Sequence, residues 1–108
     1  MIIIEELNEG LFNQNKFQFV IGNYATYNHY YKLMIHSSEL RIEVGLQTFS
    51  SGIDPQVKLF DNKLLLGFGD KFCIYDLDGK LIKEYSAYPV FYEFIIRNDY
   101  ILVINELS

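Results

Sequence analysis

The chain has 108 residues, of which 50% are hydrophobic and 17% aromatic, so its composition excludes intrinsic disorder and predicts a folded domain. Fourteen acidic and nine basic residues give a net charge of -5, which argues against binding to nucleic-acid phosphates. The single cysteine, Cys73, excludes an internal disulfide and has apolar neighbours typical of a buried thiol.

The N-terminal residues lack the basic and apolar segments of a secretory signal, and no apolar run is long enough to cross a bilayer. A reducing cytoplasm is therefore the expected location, with no membrane contact. The length predicts one β domain over residues 1–108 without an internal boundary.

Alternation of apolar and polar residues predicts short strands along the whole chain. The clearest runs from Glu39 to Val44, where Leu40, Ile42 and Val44 share one face. In chain order the predicted strands are 2–7, 16–22, 29–36, 39–44, 56–60, 63–69, 71–76, 80–85, 90–96 and 100–105. The predicted core includes Leu40, Ile42, Val44, Leu64, Leu66, Ile74, Ile101 and Val103.

Turn-forming residues separate these runs, and Asn, Asp and Gly tolerate the positive φ of tight hairpins. The predicted turns are Asn8-Glu9-Gly10, Ser37-Ser38, Asp61-Asn62, Gly69-Asp70, Asp78-Gly79 and Asn98-Asp99. The predicted fold is all-β, an antiparallel meander of about ten short strands forming a sandwich or partly open barrel. The only helical candidate is Glu5–Phe12, and Gly10 weakens it.

An internal repeat relates residues 59–66 to residues 95–102 at an offset of 36 positions, each segment reading as strand, polar turn and strand. With the segment Phe72–Leu81, residues 57–105 resemble a blade of a β-propeller. A closed propeller needs about four blades of four strands each, which exceeds this chain. A freestanding sheet is favoured over a piece cut from a longer repeat protein, because the N-terminal half contains no matching repeat.

Patterns that would indicate catalysis or metal binding are incomplete. His29 and His36 are seven positions apart, which places them on opposite faces of one strand. Asp76–Gly79 begins like a calcium loop but lacks the later oxygen ligands, and Gly67–Gly69 lacks the lysine and helix of a phosphate loop. We therefore expect a protein that is not an enzyme and has no catalytic, cofactor-binding or metal-binding residues.

Two features predict a surface that binds a partner protein. Three acidic residues precede the first basic residue, Lys16, and would attract a basic partner. A tyrosine-rich patch over residues 23–31 suits a protein interface, although the boundary of the core is the favoured interpretation. The candidate partner-binding residues are Glu5, Glu6, Glu9, Tyr24, Tyr27, Tyr30 and Tyr31.

In general character, a short, acidic β protein with aromatic patches and no catalytic motif resembles the immunity proteins that bacteria pair with toxins. The resemblance implies an inhibitor that neutralises a basic, nuclease-type toxin by covering its active site. An acidic inhibitor would associate quickly with such a target through electrostatic steering. The alternative is a propeller-like scaffold domain or fragment that binds a partner through an exposed strand edge. A barrel holding a small apolar ligand is a third class, and the oligomeric state stays open.

Overall fold

In the computed structural model of this chain, the described residues are 1–22, 29–49, 53–87, 90–98 and 100–106. Strands make up 65% of the structure and there is one short helix, which confirms the all-β prediction. The elements are β1 (Ile2–Leu7), α1 (Glu9–Gln14), β2 (Phe19–Ile21), β3 (His29–His36), β4 (Arg41–Thr48), β5 (Gln56–Phe60), β6 (Lys63–Phe68), β7 (Lys71–Tyr75), β8 (Leu81–Ser86), β9 (Val90–Arg97) and β10 (Tyr100–Glu106).

The chain divides into two compact units, Met1–Ser50 and Ser51–Ser108, which we call unit 1 and unit 2. Unit 1 holds one four-stranded sheet, and unit 2 holds a four-stranded sheet and a two-stranded hairpin. The single domain expected over residues 1–108 stays a prediction.

Unit 1 is a sheet with strand order β1-β3-β4-β2, in which β2 pairs parallel with β4 and the other pairs are antiparallel. Because β1 also runs in the same direction as β4, the segment β1-α1-β2 is a crossover that carries the chain from one edge of the sheet to the other. The predicted meander therefore contains one parallel pair.

The two faces of the unit 1 sheet differ in composition. Cross-strand partners share a face, so Ile35 and Ile42 lie on the same side as the neighbouring pair Leu33 and Val44. All four side chains are buried. The alternation that predicted strand 39–44 therefore identified the buried face correctly, although the strand is Arg41–Thr48.

Helix α1 packs on the opposite face. The Asn8 side chain caps it by accepting a hydrogen bond from the Leu11 N–H at 2.8 Å, so Asn8-Glu9-Gly10 begins a helix instead of forming a hairpin turn. The Phe12 ring lies 5.0 Å from the ring of Tyr30 and 5.1 Å from that of Phe17. The helical candidate Glu5–Phe12 overlaps α1 only in part, because β1 continues to Leu7 by pairing with β3.

Unit 2 begins with an antiparallel meander of strand order β5-β6-β7-β8, followed by the antiparallel hairpin of β9 and β10. Asp61 and Asn62 both have positive φ, at 54° and 57°, as the predicted two-residue hairpin turn requires. The repeated segments 59–66 and 95–102 each contribute to a hairpin, β5–β6 and β9–β10.

The hairpin of unit 2 packs on one face of its four-stranded sheet. The buried cluster consists of Leu65, Phe72, Ala87, Phe91 and Phe94. Four of the predicted core residues are buried: Ile42, Val44, Leu64 and Leu66. The other four are partly exposed: Leu40, Ile74, Ile101 and Val103. The last three of these pack against the cluster.

Among the residues that the structure describes, no helix is long and apolar enough to cross a membrane.

Candidate functional site

A groove in unit 2 lies between the hairpin and the four-stranded sheet, and we call it the β10 groove. It has a volume of about 610 Å³, within the range of small binding sites. Its floor is formed by Phe72 and Ile74 of β7 and by Tyr85 of β8, and one wall by Ile101 and Val103 of β10. Each of these side chains is apolar or aromatic, so the groove offers an extended apolar surface.

Strand register explains why the floor residues point to the same side. Phe72 pairs with Tyr85, and Ile74 pairs with Lys83, so these side chains stand in two adjacent rows on one face of the sheet. The Phe72 and Tyr85 rings are 6.2 Å apart in a tilted arrangement. Tyr85 remains 45% exposed.

The wall of the groove is a strand edge. In the described residues, β10 pairs with β9 on one side and with no strand on the other. An unpaired edge presents backbone N–H and C=O groups that another extended segment could pair with. The side chains of Tyr100 and Leu102 are also 60% and 46% exposed, so the strand is accessible from outside.

The outer edge of β9, by contrast, is closed by a side chain. Gln56 of β5 accepts a hydrogen bond from the Phe94 N–H at 2.8 Å and donates one to the Phe94 carbonyl at 3.0 Å. Both backbone groups of Phe94 therefore point away from β10. In an antiparallel pair this makes Phe94 and Val103 a non-hydrogen-bonded pair, so the N–H and C=O of Val103 point outward on the other side. Ile101, two positions earlier, has the same orientation.

The charged side chains that the structure describes at the groove are cationic, although the chain is acidic overall. Among the described residues Arg97 is the only charged one in the lining, and none of these lining residues carries a carboxylate or imidazole. Lys58 and Lys83 stand at the two ends of the row that contains Leu65 and Ile74. Their ammonium groups lie 5.4 Å and 5.8 Å from the ring centroids of Phe94 and Tyr85.

The candidate acidic residues all belong to unit 1 and are exposed. Glu6 lies 2.9 Å from Nδ1 of His29, and Glu9 accepts a hydrogen bond of 2.8 Å from the Tyr30 hydroxyl. Glu5 stands opposite Lys32 in the β1–β3 register. Side-chain contacts thus join Glu6 and Glu9 to β3, and the register places Glu5 beside it, while all three acids are exposed.

The candidate tyrosines have a different environment. Tyr30 and Tyr31 are 8% and 6% exposed, so their rings belong to the interior of unit 1. Tyr24 and Tyr27 lie outside the described residues. The structure therefore brings Glu9 and Tyr30 together, but the contact places the Tyr30 ring inside the fold.

Cys73 occupies the face of the unit 2 sheet opposite the groove, beside Glu84 of β8. Burial and the Glu84 carboxylate raise the pKa of the Cys73 thiol from 9.0 to about 12. Burial, together with Cys73 and Glu84, also raises the pKa of Tyr75 to about 12. Both groups are neutral at physiological pH, which is the opposite of what an activated nucleophile requires.

Metal binding finds no support in the described part of the chain, where no three His, Cys, Asp or Glu residues cluster suitably. His29 and His36 begin and end the uninterrupted strand β3, so the prediction of opposite faces is confirmed. The Nε2 atom of His36 is buried with no hydrogen-bond partner among the described residues.

Sequence patterns did not identify the β10 groove as a site. The offset repeat indicated two hairpins, but the groove joins residues from Phe60 to Val103, and no local pattern predicts how a hairpin lies on a sheet. Comparison of the chain with protein families, curated proteins and solved structures gives no significant match.

Proposed function

We propose that this chain is a non-enzymatic protein-binding module that takes an extended segment of a partner protein into the β10 groove as an added strand. The observation that supports this is the combination of an unpaired strand edge and an apolar floor in one groove. In strand addition, backbone hydrogen bonds supply affinity and pockets for alternate side chains supply specificity.

Binding is favoured over catalysis because the described lining of the groove lacks the groups that most often move protons. None of the described lining residues carries a carboxylate, an imidazole or a thiol. General acid–base chemistry most often uses such a group within hydrogen-bonding reach of the reacting atoms. The proposed location is the cytoplasm, where the free thiol of Cys73 stays reduced.

Hydrogen exchange of backbone amides tests the proposal directly. We use a synthetic peptide of alternating valine and threonine, which has strong strand propensity. If it pairs with β10, exchange at the outward amides of Ile101 and Val103 should slow. The Leu102 amide is an internal control, because it points toward β9 and is already protected. Unchanged exchange at Ile101 and Val103 with saturating peptide would exclude strand addition at this edge.

The same groove suits a propeller-like scaffold role. Strands β5 to β8 form a four-stranded antiparallel meander, and the hairpin β9–β10 repeats the pattern of β5–β6 at an offset of 36 residues. In a propeller, neighbouring sheets pack through apolar faces of this kind. Under this form of the proposal, the segment that fills the groove belongs to an adjacent repeat or to a partner.

Inhibition of a basic toxin is the second candidate function, and it uses unit 1. Its support is that Glu5, Glu6 and Glu9 are exposed and that β1 is an edge strand. A basic, nuclease-type active site would associate with such a surface through long-range attraction. The charge reversal Glu5→Lys should slow association with the toxin. The association rate of the wild-type protein should fall as the salt concentration rises.

The buried tyrosine supplies a control for this second candidate. Tyr30→Phe removes the hydroxyl that binds Glu9 but retains the ring against Phe12. It should lower thermal stability slightly and leave association unchanged, because the ring is inside the fold. An association rate that does not depend on salt would remove the electrostatic inhibitor from consideration.

A further inference from the structure

The positive charge at the β10 groove restricts which segment it can accept. The chain has a net charge of -5, yet the one charged residue in the described part of the groove lining is Arg97. The neighbouring row of side chains adds Lys83, whose ammonium group lies above the Tyr85 ring. A segment entering the groove from solvent therefore meets cations beside an apolar floor.

The carboxylate that follows Lys83 in the chain does not neutralise that lysine. Glu84 follows Lys83 on β8, so its side chain points to the opposite face, where it contacts Cys73 at 3.8 Å and Lys71 at 3.9 Å. Arg97 forms no salt bridge with any residue that the structure describes, and its side chain is exposed. The guanidinium is available to a carboxylate from outside, which it can bind through two parallel hydrogen bonds.

From these observations we infer that the β10 groove selects an acidic strand. This is an extended partner segment in which every second residue is apolar and which carries an Asp or Glu side chain beside Arg97. This inference rests on the proposed strand addition and names the chemistry of its partner. A lysine or arginine at the same position of the segment would meet Arg97 and be repelled.

The apolar alternation follows from the geometry of the floor. A strand paired with β10 directs every second side chain toward Phe72, Ile74 and Tyr85, and the remaining side chains toward solvent beside Leu102. Residues on the inner side gain by burial, whereas those on the outer side are free to be polar. The acidic residue belongs at the end of the segment, since Arg97 precedes the first residue of β10.

Three peptides test the inference. All contain the core Val-Thr-Val-Thr-Val, flanked on both ends by Glu, Gln or Lys, so that either orientation places a flanking residue beside Arg97. At low ionic strength the Glu peptide should bind up to about five-fold more tightly than the Gln peptide, as a partly exposed ion pair allows. The Lys peptide should bind most weakly. Binding is measured by titration and by exchange protection at Val103.

Variants of Arg97 assign the preference to one side chain. Arg97→Gln should remove the difference between the Glu and Gln peptides, and Arg97→Glu should reverse the order so that the Lys peptide binds best. Arg97→Lys should retain a reduced preference, which separates loss of charge from loss of fold. The matched control is Arg41→Gln on β4 of unit 1, an exposed arginine that does not line the groove and should leave the ratios unchanged.

The outcomes separate this inference from the proposed function. If all three peptides bind equally, or if Arg97→Glu leaves their order unchanged, the groove adds strands without charge selection and the inference is wrong. If none binds, strand addition itself fails. Anilinonaphthalene sulfonate tests a third possibility. If this anionic dye binds the groove in an Arg97-dependent way and no peptide displaces it, the groove is a small-molecule site and the inference is overturned.

Discussion

The side-chain amide of Gln56 hydrogen bonds to both backbone groups of Phe94 and so takes the place of a neighbouring strand on the outer edge of β9. The two bonds measure 2.8 Å and 3.0 Å. Because they close one edge of the β9–β10 hairpin and leave the other open, an added strand can pair with β10 but is blocked at Phe94. The contact also determines which amides of β10 point outward.

Removal of this amide should destabilise unit 2. In Gln56→Ala the partly buried N–H and C=O of Phe94 lose their partners, which costs about 1–3 kcal/mol. Gln56→Glu retains an acceptor for the N–H but cannot donate to the carbonyl when ionised. Its stability should therefore lie between those of Gln56→Ala and wild type. Urea unfolding measures both, with Gln18→Ala, an exposed glutamine of unit 1, as the control. Equal stability of Gln56→Ala and wild type would contradict this role.

Two glycines should respond oppositely to alanine. A Cβ at Gly67 would overlap the Phe91 ring, which lies directly against the backbone there, so Gly67→Ala should cost about 1–3 kcal/mol. At Gly10 in helix α1 the nearest atom to a new Cβ is Asn8 Oδ1 at 3.4 Å, so Gly10→Ala should stabilise the helix by about 0.5–1 kcal/mol. Thermal melting of both variants tests the pair, and a neutral Gly67→Ala would show that Phe91 does not pack as described.

A charge in the core of unit 1 should abolish its folding. Ile42 is 2% exposed, and Ile42→Asp would bury an unpaired carboxylate, a change of several kcal/mol. Ile3 on the edge strand β1 is 39% exposed, so Ile3→Asp should be tolerated much better. Circular dichroism should show loss of β-structure for the first variant only. A folded Ile42→Asp would mean that the buried face has been assigned to the wrong side of β4.

The thiol of Cys73 should be unreactive in the folded protein. Burial holds its pKa near 12, so almost no thiolate exists between pH 7 and 8. A disulfide reagent should therefore modify Cys73 only as fast as unit 2 opens, and at the rate of a free peptide thiol in denaturant. Glu84→Gln removes one of the influences that raise the pKa and should speed the reaction modestly. Rapid modification without denaturant would contradict the burial of this residue.

Asp76 should contribute to stability above the acidic range. Its Oδ1 accepts hydrogen bonds of 2.9 Å from the N–H groups of Lys80 and Asp78, and these lower its pKa below the ordinary 3.8. Because the folded pKa is below the unfolded one, the contribution is present above pH 3.8 and is lost as pH falls through the folded value. Asp76→Asn should lack this part of the acid dependence when unfolding is followed from pH 6 to pH 2.

Local sequence patterns predicted most strands of this protein. Three strands, Ile2–Leu7, His29–His36 and Gln56–Phe60, have the predicted bounds, and most others differ by one or two residues. The reason is physical: side-chain alternation and the positive φ of Asp61 and Asn62 depend on residues adjacent in the chain. The helix Glu9–Gln14 was not predicted, because its only candidate, Glu5–Phe12, overlaps the strand that the long-range pairing of β1 with β3 extends to Leu7.

The sequence by itself thus determined the β class, the hairpins and the buried faces, because each follows from neighbours in the chain. Only the tertiary structure decided that β2 lies parallel to β4, that Tyr30 packs against Phe12, and that β10 forms one wall of a groove. Tyrosine suits a core and an interface equally well, so composition alone could not place it. The groove depends on the packing of a hairpin on a sheet, where residues far apart in the chain meet through shape and burial.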